Sequence, residues 1–299
     1  MSQVILLLHL MRPLQWVKNG FVLVGLMFGH AWNDPTRVTQ ALLACAAFCL
    51  LASAVYVMND LIDREADRRH PLKRRRPLAS GEVGVPAAVA LMAICLAGGF
   101  ALVGLSGSRA VWLFFTYVAL NLAYSLGLKH VVVLDVFIIA AGFMLRLLAG
   151  TLGIGIAPSQ WLLLCGLMLT LFLGFGKRRA ELGAMDTSGG EAGRATAERR
   201  VLEHYSPLLL DQMMTVATAG TIVSYSLYTV SPETMALHGT THLIYTVPLV
   251  IYGMFRYLFL LHRRGGGDDP ALQLVLDPHL LAALCGWLAL VLAMLGHWL

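Results

Sequence analysis

Apolar residues in this chain come in long unbroken runs, and the polar residues collect in the gaps between them. Nine runs read as membrane spans: about 17–32, 38–58, 83–104, 109–126, 132–154, 159–176, 211–230, 242–262 and 279–298. A helix needs about 20 mostly apolar residues to cross a bilayer core, whereas a barrel strand would alternate apolar and polar positions. The pattern therefore predicts an all-α polytopic membrane protein, organised as a single domain over residues 1–299. The first run is short and polar at its start. Ahead of it, Val4–Met11 lacks a basic leader and meets Arg12-Pro13 rather than a small-residue cleavage site. That stretch reads as a short helix lying on the membrane face, not as a signal peptide.

A mean hydropathy of +0.72 with 13% charged residues excludes an ordinary soluble domain. The charges are also unevenly placed. Of 22 Lys and Arg, 18 fall at the N-terminus or in connections following even-numbered runs. Arg37 and Arg109 stand on the other side, and Arg146 and Arg256 fall inside runs. The positive-inside rule then predicts a multi-pass protein of the inner (plasma) membrane with its N-terminus in the cytoplasm. A pI near 9.1 follows from these connections. Attraction to anionic membrane lipids and phosphates accounts for it without nucleic acid. The five cysteines all lie in apolar runs with no CxxC pair, which points to packing rather than zinc or redox chemistry.

Two polar connections are large, about 59–82 and about 177–210. In the second, Met185 to Thr196 is rich in Gly, Ser and Thr and predicts a mobile stretch, and helical character returns over Glu198–Tyr205. Gly265-Gly266-Gly267-Asp268-Asp269-Pro270 reads as a turn.

The first connection carries the candidate chemistry. Asn59-Asp60-Leu61-Ile62-Asp63-Arg64-Glu65-Ala66-Asp67 is followed closely by Lys73-Arg74-Arg75-Arg76-Pro77. Asp60, Asp63 and Asp67 are spaced i, i+3, i+7, so a continuous helix would turn their carboxylates one way, with Asn59 one turn before Asp63. Carboxylates held this close repel unless a cation sits among them. A hard ion such as Mg²⁺ takes oxygen ligands and completes its shell with substrate phosphates. The basic run supplies counter-charges for a polyphosphate. A solvated loop obeying topology rules would explain the basic half, but acids contribute little to orientation. The feature reads as a diphosphate site at a membrane surface.

Further clusters accompany it. Tyr124-Ser125-Leu126-Gly127-Leu128-Lys129 precedes Asp135, and Arg146 lies inside the same run as Asp135. Lys129 is placed either to anchor at headgroups or to meet an anion. An Arg near mid-bilayer costs at least about 2.5–3.5 kcal/mol, so Arg146 must face inward and meet a carboxylate, a carbonyl or a ligand anion. Lys177, Arg178 and Glu181 form a third cluster, with Lys177 and Glu181 spaced i, i+4, and read as an exposed helix pair or the rim of a polar cavity. Gln15, Trp16 and Lys18 combine an interface anchor with amide and cation.

These residues carry a family resemblance. Asn59-Asp60-x-x-Asp63-x-x-x-Asp67 with Arg76-Pro77-Leu78-Ala79-Ser80-Gly81 resembles the first motif of the UbiA superfamily of intramembrane prenyltransferases. The resemblance implies a nine-helix UbiA-like bundle opening to the cytoplasmic side. Aromatic prenyltransferases of that superfamily carry a second Asp-rich motif after the sixth span. This chain has Lys177-Arg178-Arg179-Ala180-Glu181 there instead. Together with Arg12-Pro13-x-Gln15-Trp16-x-Lys18-Asn19 and Tyr124-Ser125-x-Gly127-Leu128-Lys129, that departure is similar to the decaprenyl-phosphate phosphoribosyltransferase branch. Segments Arg200-Val201-Leu202-Glu203-x-Tyr205 and Asp269-Pro270 are similar too.

The resemblance implies transfer of phosphoribosyl from 5-phosphoribosyl 1-diphosphate to a polyprenyl phosphate. It implies Mg²⁺ on Asp60, Asp63 and Asp67 with Asn59 beside them. Substrate contacts are implied at Gln15, Lys18, Lys73, Arg74, Arg75, Arg76, Tyr124, Lys129, Asp135, Arg146, Lys177, Arg178 and Glu181. An aromatic or haem-type prenyltransferase is the alternative enzyme, and a transporter or structural protein the non-enzymatic one. A homo-oligomer is left open.

Overall fold

The computed structural model describes residues 3–70, 73–187, 201–263 and 276–296, and all regular elements among them are helical. Most of the Gly/Ser/Thr-rich stretch, Glu198–Arg200 and the Gly265–Pro270 turn lie outside the described residues. The described chain forms two compact units, divided after Pro158. The first holds α1 (Gln3–Met11), a 3-10 segment (Pro13–Gly20), α2 (Phe21–Phe28), α3 (Pro35–Ile62), α4 (Arg64–Arg69), α5 (Pro77–Ser80), α6 (Val85–Ser106), α7 (Trp112–Leu126) and α8 (Leu134–Ala149). The second holds α9 (Gln160–Thr187), α10 (Pro207–Val230), α11 (Pro232–His238), α12 (Val247–Arg263) and α13 (Pro278–Leu295).

Four of these helices start by one rule. Asp34-Pro35, Ser206-Pro207, Ser231-Pro232 and Asp277-Pro278 each put an oxygen-bearing side chain at the cap and proline at the first helical position. The side chain accepts from an otherwise unpaired amide, and proline has no amide to leave unpaired.

Among the described residues, six helical stretches are long and apolar enough to cross a membrane: Pro35–Ile62, Val85–Ser106, Leu134–Ile154, Gln160–Gly183, His242–Arg263 and Pro278–Leu295. They account for six of the nine predicted runs. The run at 17–32 instead becomes the 3-10 segment followed by the 8-residue α2. The run at 109–126 gives the 15-residue α7. The run at 211–230 becomes the 24-residue α10, whose many Thr and Ser residues dilute its hydropathy. Two predicted connections are also shorter than expected, because α3 continues to Ile62 and α9 to Thr187.

In the first unit, Phe48, Leu51 and Val55 of α3 pack with Leu113, Phe114 and Tyr117 of α7 and with Leu145 and Ala149 of α8. The apolar windows of α3 and α8 are 56% and 61% buried, against 22% for α6, so α3 and α8 form the interior and α6 presents most of its surface outward. In a bilayer that outward surface meets lipid. The short α2 crosses α8 at two glycines. A Cβ on Gly25 would lie 2.2 Å from the Gly150 carbonyl oxygen, and one on Gly150 would lie 1.8 Å from that of Val22.

In the second unit, Tyr225 shares a hydrogen bond with Thr246 (2.7 Å) and accepts one from the Trp287 indole (2.8 Å). Arg256 pairs with Asp277, whose side chain also caps α13.

Candidate active site

The acidic segment begins on the last turn of α3. The helix breaks at Asp63 and resumes as α4, so Asp60 ends one element and Asp67 belongs to the next. The chain then folds back through α5. Leu78 is fully buried with Leu6 and Leu10 of α1, Val57 of α3, and Val83, a burial worth about 1.5–3 kcal/mol. Arg64 donates to the Leu78 carbonyl (3.3 Å) and Arg68 to that of Ala79 (3.2 Å). Gly81 ends α5 at φ 86°, the left-handed region that favours glycine. These contacts hold the Arg76–Gly81 stretch against α4, and Arg76 is the residue they deliver.

Arg76 Nη1 reaches two acids, Asp67 Oδ2 at 2.7 Å and Asp60 Oδ1 at 3.1 Å. Arg12 Nη2 meets the same Asp60 oxygen at 2.6 Å. Lys129 Nζ meets Asp63 Oδ1 at 2.9 Å. Asn59 accepts a short hydrogen bond from Ser125. The helical spacing predicted one face with three equivalent carboxylates. Instead Asp60 and Asp67 form a buried pair bridged by one guanidinium, while Asp63 sits at the break and keeps about a third of its side chain exposed. Among the described residues no three acid, His or Cys side chains are grouped as a metal site. The donors are nevertheless all oxygen, and a cationic nitrogen already occupies the place between Asp60 and Asp67. Such a set suits a hard divalent ion.

The N-terminal segment runs antiparallel along one stripe of α3. Arg12 meets Asp60 and lies over the Tyr56 ring, Trp16 donates to Ser53 (3.0 Å), and the Asn19 amide donates to Cys49 (3.3 Å). Positions 49, 53, 56 and 60 share a helix face by their 3.6-residue period. Ser53 also donates to the Met11 carbonyl, and Arg12 takes a left-handed conformation (φ 52°, ψ 60°) at the bend. Bulky residues adopt that region only where their surroundings enforce it.

Arg146 closes the other end of this segment. Its Nε donates to Asn19 Oδ1 (2.7 Å), Nη1 to the Gly142 carbonyl (2.8 Å) and Nη2 to the Tyr117 hydroxyl (3.0 Å). The rings of Tyr117, Phe48 and Phe143 lie within 4.7–5.5 Å of the guanidinium carbon. Of the partners expected from sequence, the carbonyl is present. The others are a neutral amide, a hydroxyl and aromatic faces.

The remaining predicted residues divide by place. Gln15 and Lys18 are half-buried in the 3-10 segment, and Tyr124 is half-buried near the end of α7. Asp135 is fully buried in the first turn of α8, where a carboxylate suits the helix dipole. Arg74 and Arg75 are exposed in a 3-10 turn with Lys73. Lys177, Arg178 and Glu181 belong to the second unit. There Arg178 pairs with Glu181 at 2.5 Å, and Lys177 approaches it at 3.8 Å. Arg179 pairs with Asp211 at 3.0 Å.

Sequence reasoning passed over Arg12, Ser125, Asn19 and Tyr117 as individual participants. Arg12 and Asn19 bracket a motif already noted, so the motif's ends were the available signal. Tyr117 carried none, since an aromatic in an apolar run reads as packing.

Residues 20–276 match the UbiA prenyltransferase family, and the chain belongs to it. Decaprenyl-phosphate phosphoribosyltransferase of Corynebacterium glutamicum is 38% identical over 223 residues, covering 73% of this chain and 65% of that protein's length. The protein of the same name from Mycolicibacterium smegmatis is 34% identical over 231 residues, 76% of this chain and 71% of that one. A UbiA homolog from Archaeoglobus fulgidus, solved bound to GPP and Mg²⁺, superposes with a TM-score of 0.70 at 20% identity, covering 97% of this chain and 99% of that one. That last likeness is one of fold. The chain is thus an all-α integral membrane protein of the UbiA fold.

Proposed function

We propose that this chain is a Mg²⁺-dependent pentosyltransferase that moves 5-phosphoribosyl from 5-phosphoribosyl 1-diphosphate to a polyprenyl phosphate, releasing diphosphate. The observation that carries this reading is the acid cluster matched by Arg12, Arg76 and Lys129, drawn from three separate segments. Such a site offers both metal ligands and phosphate-binding cations. The two phosphoribosyltransferase relatives support the donor and acceptor class. The Lys177–Glu181 stretch, basic where aromatic prenyltransferases are Asp-rich, supports it too.

Asp60, Asp63 and Asp67, with Asn59 beside them, would hold the metal. Mg²⁺ bound there would neutralise charge developing on the departing diphosphate. Arg12, Arg76 and Lys129 would turn from the carboxylates to phosphate oxygens, an exchange of one charge-assisted hydrogen bond for another. The exposed Arg74 and Arg75 would cover the donor. Lys18 and Lys73, and separately Lys177, are proposed contacts for the 5-phosphate and the lipid phosphate, and Arg178 and Glu181 are further proposed substrate contacts of the second unit. Gln15, Tyr124 and Asp135 are proposed substrate contacts of the first unit. The bond from ribose C1 to the diphosphate breaks, and a lipid phosphate oxygen bonds to C1. A phosphate dianion is already nucleophilic, so no strong general base is needed. We place the site on the cytoplasmic side of the inner membrane, in a nine-helix arrangement with the N-terminus inside.

The test is purified protein in detergent with labelled phosphoribosyl diphosphate. The expected result is label in the lipid fraction and diphosphate release only when polyprenyl phosphate and Mg²⁺ are both supplied. Prenylation of an aromatic acceptor from a prenyl diphosphate, with no labelled lipid, would overturn the reading.

A further inference from the structure

The end of α3 opposite the acid cluster carries a polar pocket of about 230 Å³, lined by the cap Asp34, by Arg37 and Gln40 of α3, by Arg109, and by Gly153 and Gly155 after α8. Arg37 and Asp60 are 23 residues apart on α3, roughly 35 Å at helical rise. That separation exceeds a bilayer core of roughly 30 Å. The pocket therefore opens at the other membrane face from the site described above. In the predicted topology that face has only Arg37 and Arg109 among the 22 Lys and Arg of the chain, and both converge here.

The pocket is built rather than incidental. The Arg109 amide donates to the Gly153 carbonyl at 3.0 Å, fixing the loop that follows α6 to the turn that follows α8. A Cβ at Gly155 would lie 3.3, 3.4 and 3.6 Å from Arg109 Nη1, Cζ and Nε, so the guanidinium lies along that glycine. Gly155 has φ +78°, and a side chain there would be strained and would crowd Arg109. The single acid, Asp34, is engaged as the cap of α3 through the Thr36 and Arg37 amides, with Arg37 Nε at 3.3 Å. No acid among the described residues pairs with the Arg109 guanidinium. Two guanidiniums against one committed carboxylate leave the pocket one positive charge in excess. Planar, weakly hydrated guanidinium groups suit phosphate oxygens.

We propose that this pocket binds a phosphate group, carried either by the headgroup of a membrane phospholipid or by a soluble phosphate. The test uses the full chain in detergent and counts bound lipid by native mass spectrometry. Three probes are used: phosphatidylglycerol, diacylglycerol with the same acyl chains, and inorganic phosphate. Wild type should hold one more phosphatidylglycerol per chain than R37Q/R109Q, and diacylglycerol should not occupy that place. Losing charge-assisted hydrogen bonds should weaken the lipid at least about 10-fold. Displacement of that lipid by millimolar inorganic phosphate assigns the soluble source; resistance to it assigns the headgroup. Should the double variant misfold, R109Q serves alone, since its guanidinium leaves no acid behind. Equal phosphatidylglycerol binding by wild type and folded variant, or equal binding of diacylglycerol, would overturn the proposal.

Discussion

Asp60 places one oxygen against two guanidiniums in a surrounding that leaves it 3% exposed. Asp60→Asn removes that charge while keeping shape. If the proposed metal role holds, turnover falls by about 10²–10³, the usual loss for one electrostatic stabiliser. Near-normal turnover by a folded Asp60→Asn, or full activity in excess EDTA, would defeat the metal reading. Arg146 makes a different case. Each of its three guanidinium nitrogens donates to a protein group, one of them Asn19. Arg146→Met removes a buried charge but strands the Asn19 amide oxygen and the Tyr117 hydroxyl, at about 1–3 kcal/mol for each buried group left unsatisfied. The variant should therefore melt lower and exchange the backbone amides of residues 14–20 faster in detergent. Unchanged exchange there would show that Arg146 does not anchor the segment. The acids were legible because their spacing is local and one partner, Arg76, follows in the same connection, whereas Arg12 and Lys129 lie 48 and 66 residues from the acids they meet. Arg146 was legible only as a problem to be solved. Its solution lies 127 residues away at Asn19 and 29 away at Tyr117, and no helical period connects such positions.

At the scale of elements, the run at 17–32 is not one continuous α-helix. Hydropathy measures whether a segment prefers lipid, not which helix it forms, and here a 3-10 segment precedes eight α-helical residues. What holds this piece is backbone contact, with α2 against α8 at Gly25 and Gly150. Gly150→Ala should therefore be costly. The new methyl would meet the Val22 carbonyl at 1.8 Å, and that is backbone, which cannot rotate away. Overpacking of this kind costs about 1–3 kcal/mol, and here it also shifts the segment that carries Arg12. The expected result is a lower melting temperature together with reduced turnover. Gly104→Ala is the control, since a Cβ there meets nothing within 4 Å. Equal melting of the two variants would show that the α2–α8 crossing does not hold this segment in place. The Asp-Pro and Ser-Pro starts of α3, α10, α11 and α13 were open to reading from sequence. The break at Asp63 was not, because nothing in Ile62-Asp63-Arg64 forbids helix. It accompanies the return of Leu78 into the core beside α1 and α3.

Across the whole molecule, charge asymmetry and structure meet on α3. Its acidic end lies beside the basic run from Arg64 to Arg76, and its other end holds Arg37 in the pocket with Arg109. A helix of 28 residues is long enough, at about 1.5 Å per residue, to set these ends on opposite membrane faces. The positive-inside rule would orient the basic end toward the cytoplasm, which is also where a soluble, multiply charged donor would have to arrive. Single cysteines at exposed positions can test that orientation. Arg75→Cys should resist a membrane-impermeant maleimide added outside intact cells and react only after lysis. Arg109→Cys should react from outside. Wild type supplies the background, as its five cysteines lie within the apolar runs. Labelling of Arg75→Cys from outside with protection of Arg109→Cys would invert the topology, and would put the proposed transfer on the wrong face for a cytoplasmic sugar diphosphate.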